Sequence, residues 1–65
     1  MPKYYILYGG AVTRDMVFET DVEANTGNLA REKFGKFYPH GTIVFIRKGR
    51  PFSATEKKQA KQHLR

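Results

Sequence analysis

The sequence predicts a small α+β domain built as β-β-α-β-α: a three-stranded antiparallel sheet in the order 2-1-3, one helix packed on it, and a basic C-terminal helix. Three observations lead there. Three short runs, "KYYILY" (3–8), "MVFETDVEA" (16–24) and "TIVFIRK" (42–48), are dense in aromatic and β-branched residues, which suit the pleated surface of a strand. Between the second and third runs, "GNLAREKFGKFY" places apolar residues at helical spacing. A chain of 65 residues has room for one domain, 1–65, and buries only about 60% of its unfolded surface.

In the first run Tyr4, Ile6 and Tyr8 fall on one face and Tyr5 and Leu7 on the other. Both faces are apolar or aromatic, as in a central strand. Gly9 and Gly10 supply a turn within "GGAVTRD". The second run alternates, with Met16, Phe18, Thr20, Val22 and Ala24 facing one way and Val17, Glu19, Asp21 and Glu23 the other. It forms a hairpin with the first. Asn25 or Thr26 caps the helix, since a short side-chain oxygen can accept from an unpaired first-turn N–H. Ala30, Phe34 and Phe37 share one helical face, with Leu29 beside it, and Pro39 ends the helix. Phe18 and Val22 are expected to pack under Phe34 and Phe37. The third run is apolar on both faces until Arg47, and "GRP" breaks it. A right-handed crossover from the second strand to the third leaves the first in the middle. Ser53 and Glu56 form an S-x-x-E capping box that starts the basic helix, 53–65, near Ala54.

Charge rises along the chain. Residues 1–24 carry a net −2, residues 25–45 a net +2, and residues 46–65 the remaining +6. Such asymmetry describes a directed electrostatic surface. The last helix has little to bury beyond Ala54, Ala60 and Leu64, whereas Lys57, Lys61 and Arg65 recur one turn apart with Lys58 beside them. The predicted binding set is therefore Arg47, Lys48, Arg50, Lys57, Lys58, Lys61 and Arg65, meeting phosphates as one basic surface, with Lys36 and Tyr5 as further contacts. Nine aromatic residues mainly serve to build a core in so small a chain. One helix covers only one sheet face, so the other aromatic row either stacks bases, docks a protein or receives the last helix.

Other chemistries find little footing. There is no Cys, hence no disulfide or thiolate metal site, in keeping with a reducing cytosol. No apolar run approaches the roughly 18 residues of a membrane span, and the N-terminus does not read as a signal peptide, so a cytoplasmic protein without a membrane partner is expected. The row Glu19, Asp21, Glu23 reads as edge-strand protection rather than a metal site. His40 sits in a Pro-His-Gly turn and His63 near the end of the basic helix, and neither has a paired nucleophile or carboxylate motif. No catalytic residue and no cofactor are assigned. Gly9-Gly10 lacks the Lys-Ser/Thr of a P-loop, and neither an "RGFGFV" string nor a KH-type "GxxG" loop is present.

"VEANTGNLAREKF" followed by "YPHGTIVFIR" resembles a plan found in small phage-encoded proteins: a strand ending at Ala, a short helix, and an "HGT" turn into an apolar strand. Over roughly residues 16–47 the chain is similar to certain type I anti-CRISPR inhibitors in size, basic charge and β-β-α-β order. The basic final helix departs from that pattern. The resemblance implies inhibition by binding, without chemistry, at the nucleic-acid-handling channel or backbone of a larger complex in the host cytosol. A small archaeal-type ribosomal protein has a similar element order. Three functions therefore stand as expectations: a non-enzymatic phage or mobile-element protein that inhibits a nucleic-acid-handling complex or binds nucleic acid directly, a ribosomal or RNA-binding accessory protein, and a small ribonuclease toxin.

Overall fold

A computed structural model describes residues 1–10 and 16–63. The chain forms β1 (Lys3–Gly9), β2 (Val17–Glu23), α1 (Gly27–Phe37), β3 (Thr42–Lys48) and α2 (Ala54–His63). The three strands make one sheet in the order β2-β1-β3, with β1 antiparallel to both neighbours. This is the β-β-α-β-α fold expected from the sequence. Most of the segment between the first two strands, including Arg14 and Asp15, lies outside the described residues.

The sheet is built around β1 because its side chains are apolar on both faces. Ile6 and Leu7, adjacent and therefore pointing to opposite faces, are both fully buried. Tyr4, Ile6 and Tyr8 face α1. Tyr4 approaches Gly27, and the Tyr8 ring meets Phe34 edge-on with centroids 5.1 Å apart. Tyr5 and Leu7 face α2, where Leu7 joins Phe52 and Ala60 in a buried cluster edged by Tyr5, Val17, Val44 and Phe45. The second aromatic face, whose use the sequence left open, is thus received by the last helix.

β2 pairs with β1 in unbroken register from Lys3↔Glu23 to Gly9↔Val17, and the Ala24 N–H donates to the Pro2 carbonyl at 3.0 Å. β3 does not keep step. Leu7 faces Phe45 but Tyr8 faces Ile43, so Val44 is an extra residue, a β-bulge. The bulge lets Val44 and Phe45 both pack towards α2, while Ile43 and Ile46, paired with Tyr8 and Ile6, serve the α1 side.

The N-cap of α1 is Thr26, whose Oγ1 accepts from the Leu29 N–H at 3.2 Å. Ala30 and Phe34 form its buried stripe. Phe37, expected to complete that stripe over Phe18 and Val22, instead stands 74% exposed. Pro39 gives the physical reason. A residue before proline is pushed out of the α region, and Tyr38 adopts φ −133° and ψ 68°. Its ring turns back to stack on Phe34 at 5.1 Å and to meet Tyr8 at 4.8 Å, taking the place expected for Phe37. Gly41 completes this corner. A Cβ there would lie 2.9 Å from the Phe34 ring, so the Pro-His-Gly turn needs glycine for space.

Replacing Phe34 by Ala should cost about 3–5 kcal/mol in urea denaturation, while Phe37→Ala should stay within about 0.5 kcal/mol of the parent. The Tyr8–Tyr38 pair adds a pH signature. Burial, then the hydrogen bond and proximity to Tyr38, raise the Tyr8 pKa above the ordinary 10.0. Because folding raises it, the associated stability is complete below the unfolded phenol value and is lost as pH rises through the folded one. Denaturation midpoints should therefore fall in the alkaline range above about pH 10, and Tyr8→Phe should make that fall shallower.

Candidate nucleic-acid interface

α2 has little apolar surface with which to bind the sheet. Among the described residues its one buried side chain is Ala60, and Phe52 from the preceding loop supplies a buried aromatic ring on that side. Beyond this cluster and the partly buried Tyr5, Val17, Val44 and Phe45 at its edge, the attachment among the described residues is polar and involves two carboxylates. Glu56 accepts from the Ser53 N–H at 3.0 Å, while the Glu56 N–H donates to Ser53 Oγ at 3.3 Å, the reciprocal capping box expected from the sequence. The same Glu56 carboxylate is ion-paired with Arg47 on β3 and accepts from its guanidinium at 3.0 Å. Glu19 on β2 accepts from the Phe52 N–H at 3.2 Å and pairs with Lys57 at 3.4 Å. One acid from α2 thus reaches β3, and one acid from β2 reaches α2 and the loop before it.

This arrangement sorts the predicted binding residues. Arg47 belongs to the helix attachment. Its guanidinium is paired with Glu56, reaches the Pro51 carbonyl at 3.5 Å, and lies over the Phe52 ring at 4.7 Å from the centroid. That cation–π contact draws it further from solvent. Tyr5 is likewise committed, half-buried against the Leu7–Phe52–Ala60 cluster. Both side chains are only partly exposed, that of Arg47 at 27%. The cause is the same for both, since α2 lies across their face of the sheet.

Lys57, Lys58 and Lys61 are brought together. All three are exposed and line one open cleft of about 430 Å³, floored by Met16, Val17 and Ala54. Lys58 and Lys61 have no ion-pair partner among the described residues. Lys48, the last residue of β3, and Arg50 in the turn after it are exposed, away from the cleft lining. Gly49 makes that turn with φ +100°, a conformation that glycine adopts without steric cost, and its N–H donates to the Lys3 carbonyl. Lys36 is exposed in the last turn of α1 and so belongs to a different element from the cleft. Arg65 lies outside the described residues.

The acidic row on β2 has a role that the sequence reading missed. Glu19 holds α2, and Asp21 lies 4.0 Å from Lys3 in an exposed pair. The signal was present as an acid on a strand face opposite a basic helix with too few apolar residues to dock unaided. Lys33 donates to the Glu23 carbonyl, tying α1 to the end of β2. His40 is exposed in the turn after α1. Among the described residues no three His, Asp or Glu side chains converge as metal ligands would, and no helix is long and apolar enough to cross a membrane.

If Arg47 serves the fold, Arg47→Gln should lower stability by about 1–3 kcal/mol, the range for a lost charged hydrogen bond. Hydrogen exchange of the α2 amides should quicken with it. Lys58→Gln should leave both measurements unchanged, because its ammonium has no ion-pair partner among the described residues. No family model, curated protein or solved structure matches this chain, so its function has to be argued from the site.

Proposed function

We propose that the protein is a non-catalytic module that binds nucleic acid, free or within a nucleoprotein complex, through the lysine-bearing face of α2. The observation that carries this reading is the convergence of Lys57, Lys58 and Lys61 on one cleft while the opposite side of the same helix is fixed to the sheet. A helix docked in this way presents its cations without first having to be ordered, which reduces the entropic cost of binding. Phosphates neutralised by such lysines release condensed counterions, the main source of affinity for surfaces of this kind. The excess of cations supports the reading further. Among the described residues, three acids are engaged with Lys3, Arg47 and Lys57, whereas Arg31, Lys36, Lys48, Arg50, Lys58 and Lys61 have no acid partner.

Binding rather than turnover is the better reading of His40. It is exposed in its turn, with no acid or nucleophile hydrogen-bonded to it among the described residues. A general base needs such a neighbour, or its substrate, within hydrogen-bond reach. A partner of this class and the absence of Cys fit work in the cytosol.

The test is fluorescence anisotropy of a labelled oligonucleotide over a salt series. Affinity should fall as salt rises, and replacing Lys57, Lys58 and Lys61 together by Gln should flatten the log–log slope by about one unit per lost phosphate contact. Circular dichroism should show α2 intact, since Gln is nearly as good a helix former as Lys. Parent protein that fails to bind at low salt, or a triple variant that binds like the parent, would sink the proposal. A pull-down with and without nuclease would then show whether an acidic protein is the partner.

A further inference from the structure

A surface that only neutralised phosphates would need no apolar floor, yet the lysine cleft has one. Met16, Val17 and Ala54 line it, and Met16 is 52% exposed, an unbranched thioether left open to solvent. Among the described residues, the polar side chains of the lining are all lysines, which donate hydrogen bonds and accept none. These described residues offer no amide, carboxylate or guanidinium with which to read the edge of a base.

We propose that this cleft takes one unstacked base of a single-stranded nucleic acid, its face against Met16 and Ala54, with Lys57, Lys58 and Lys61 on the neighbouring phosphates. The inference rests on the phosphate-binding reading of α2 and adds to it the strandedness of the partner. Lys57 and Lys61 are one helical turn apart, about 6 Å along the axis. That distance suits two successive phosphates of an extended strand, with the base between them free to turn inward. A duplex keeps its base faces stacked inside and would leave the floor unfilled, whereas every base of a single strand has a free π-face. A thioether is a favourable partner for such a face, being soft and polarisable. Glu19 is close to this rim, but its carboxylate is already engaged by the Phe52 N–H and by Lys57. An acidic peptide with an apolar side chain is the competing occupant. The polymer is favoured because it is the occupant that the phosphate-binding reading of α2 already names, with Lys58 and Lys61 free of ion pairs among the described residues.

The experiment compares four labelled probes with the full chain at low salt: an oligothymidylate, a fully abasic backbone of equal length and charge, a duplex, and a peptide alternating Glu and Leu. Oligothymidylate should bind about ten-fold more tightly than the abasic backbone, as expected for a base contact that adds to shared phosphate contacts. Met16→Ser, at an exposed position before β2, should remove most of that difference and leave abasic binding unchanged. Equal binding of thymidylate and abasic backbone, a preference for duplex, or an unaffected Met16→Ser variant would overturn the base-binding inference while the phosphate reading stands. Tighter binding of the peptide would give the cleft to an acidic protein. Failure of all three nucleic-acid probes would remove both readings together.

Discussion

β1 is apolar on both faces, and the rest of the molecule answers to that constraint. Ile6 and Leu7 are neighbours in sequence, point in opposite directions, and are both sealed from water. A single helix can shelter only one of them. The chain must therefore bring a second layer to the Leu7 side, and α2 supplies it with Ala60 and the adjacent Phe52. Burying these groups contributes roughly 25 cal/mol for each Å² of apolar surface removed from water. Ala60 has little such surface to offer. The Glu56–Arg47 and Glu19–Lys57 pairs follow from that shortage, as does the guanidinium seated over Phe52.

The two helices are attached by different physics. α1 is held by rings: Tyr8, Phe34 and Tyr38 meet within about 5 Å of one another, with Phe18 against Tyr8 at 5.7 Å. α2 is held by a small apolar cluster together with two carboxylates, so one side of the domain is a packed aromatic corner and the other adds an electrostatic clasp. The clasp leaves the outward side of α2 free of structural duties apart from Lys57, which has one foot in each role. A surface released from packing in this way can be given over to recognition.

Much of this could be read from residues alone. The strand runs, the capping box at Ser53 and Glu56, and the sheet order follow from periodicity and turn chemistry, which act locally. Other features depend on where the chain ends up in space. Phe37 and Tyr38 are adjacent aromatics at the end of a helix, and helical spacing favours Phe37. The pre-proline constraint on Tyr38 reverses the choice, and its weight is clear only once the Tyr8 and Phe34 rings are in place. Arg47 sits in a basic run and looks like its neighbours Lys48 and Arg50, but nine residues later Glu56 claims it. The bulge at Val44 was hidden for a simpler reason. "IVFI" is apolar at every position, so no alternation exists to reveal a skipped residue. The lysines of the cleft were legible as a cluster, whereas its floor was not, because Met16 and Ala54 lie 38 residues apart in the chain.

The position of α2 also has a consequence in time. Synthesis delivers β1 early and α2 last of the described elements, and the pairing of Tyr4 with Lys48 spans most of the chain between them. A nascent sheet would hold Tyr5, Leu7 and Phe45 uncovered until Phe52 and Ala60 emerged, and exposed apolar faces of this kind are where growing chains adhere to one another. Carboxylate–cation pairs attract over longer distances than packing contacts, which act only on touching. Glu19 and Arg47, already present on the sheet, would draw the late helix across that face before any apolar contact had formed, shortening the interval in which the young protein is vulnerable.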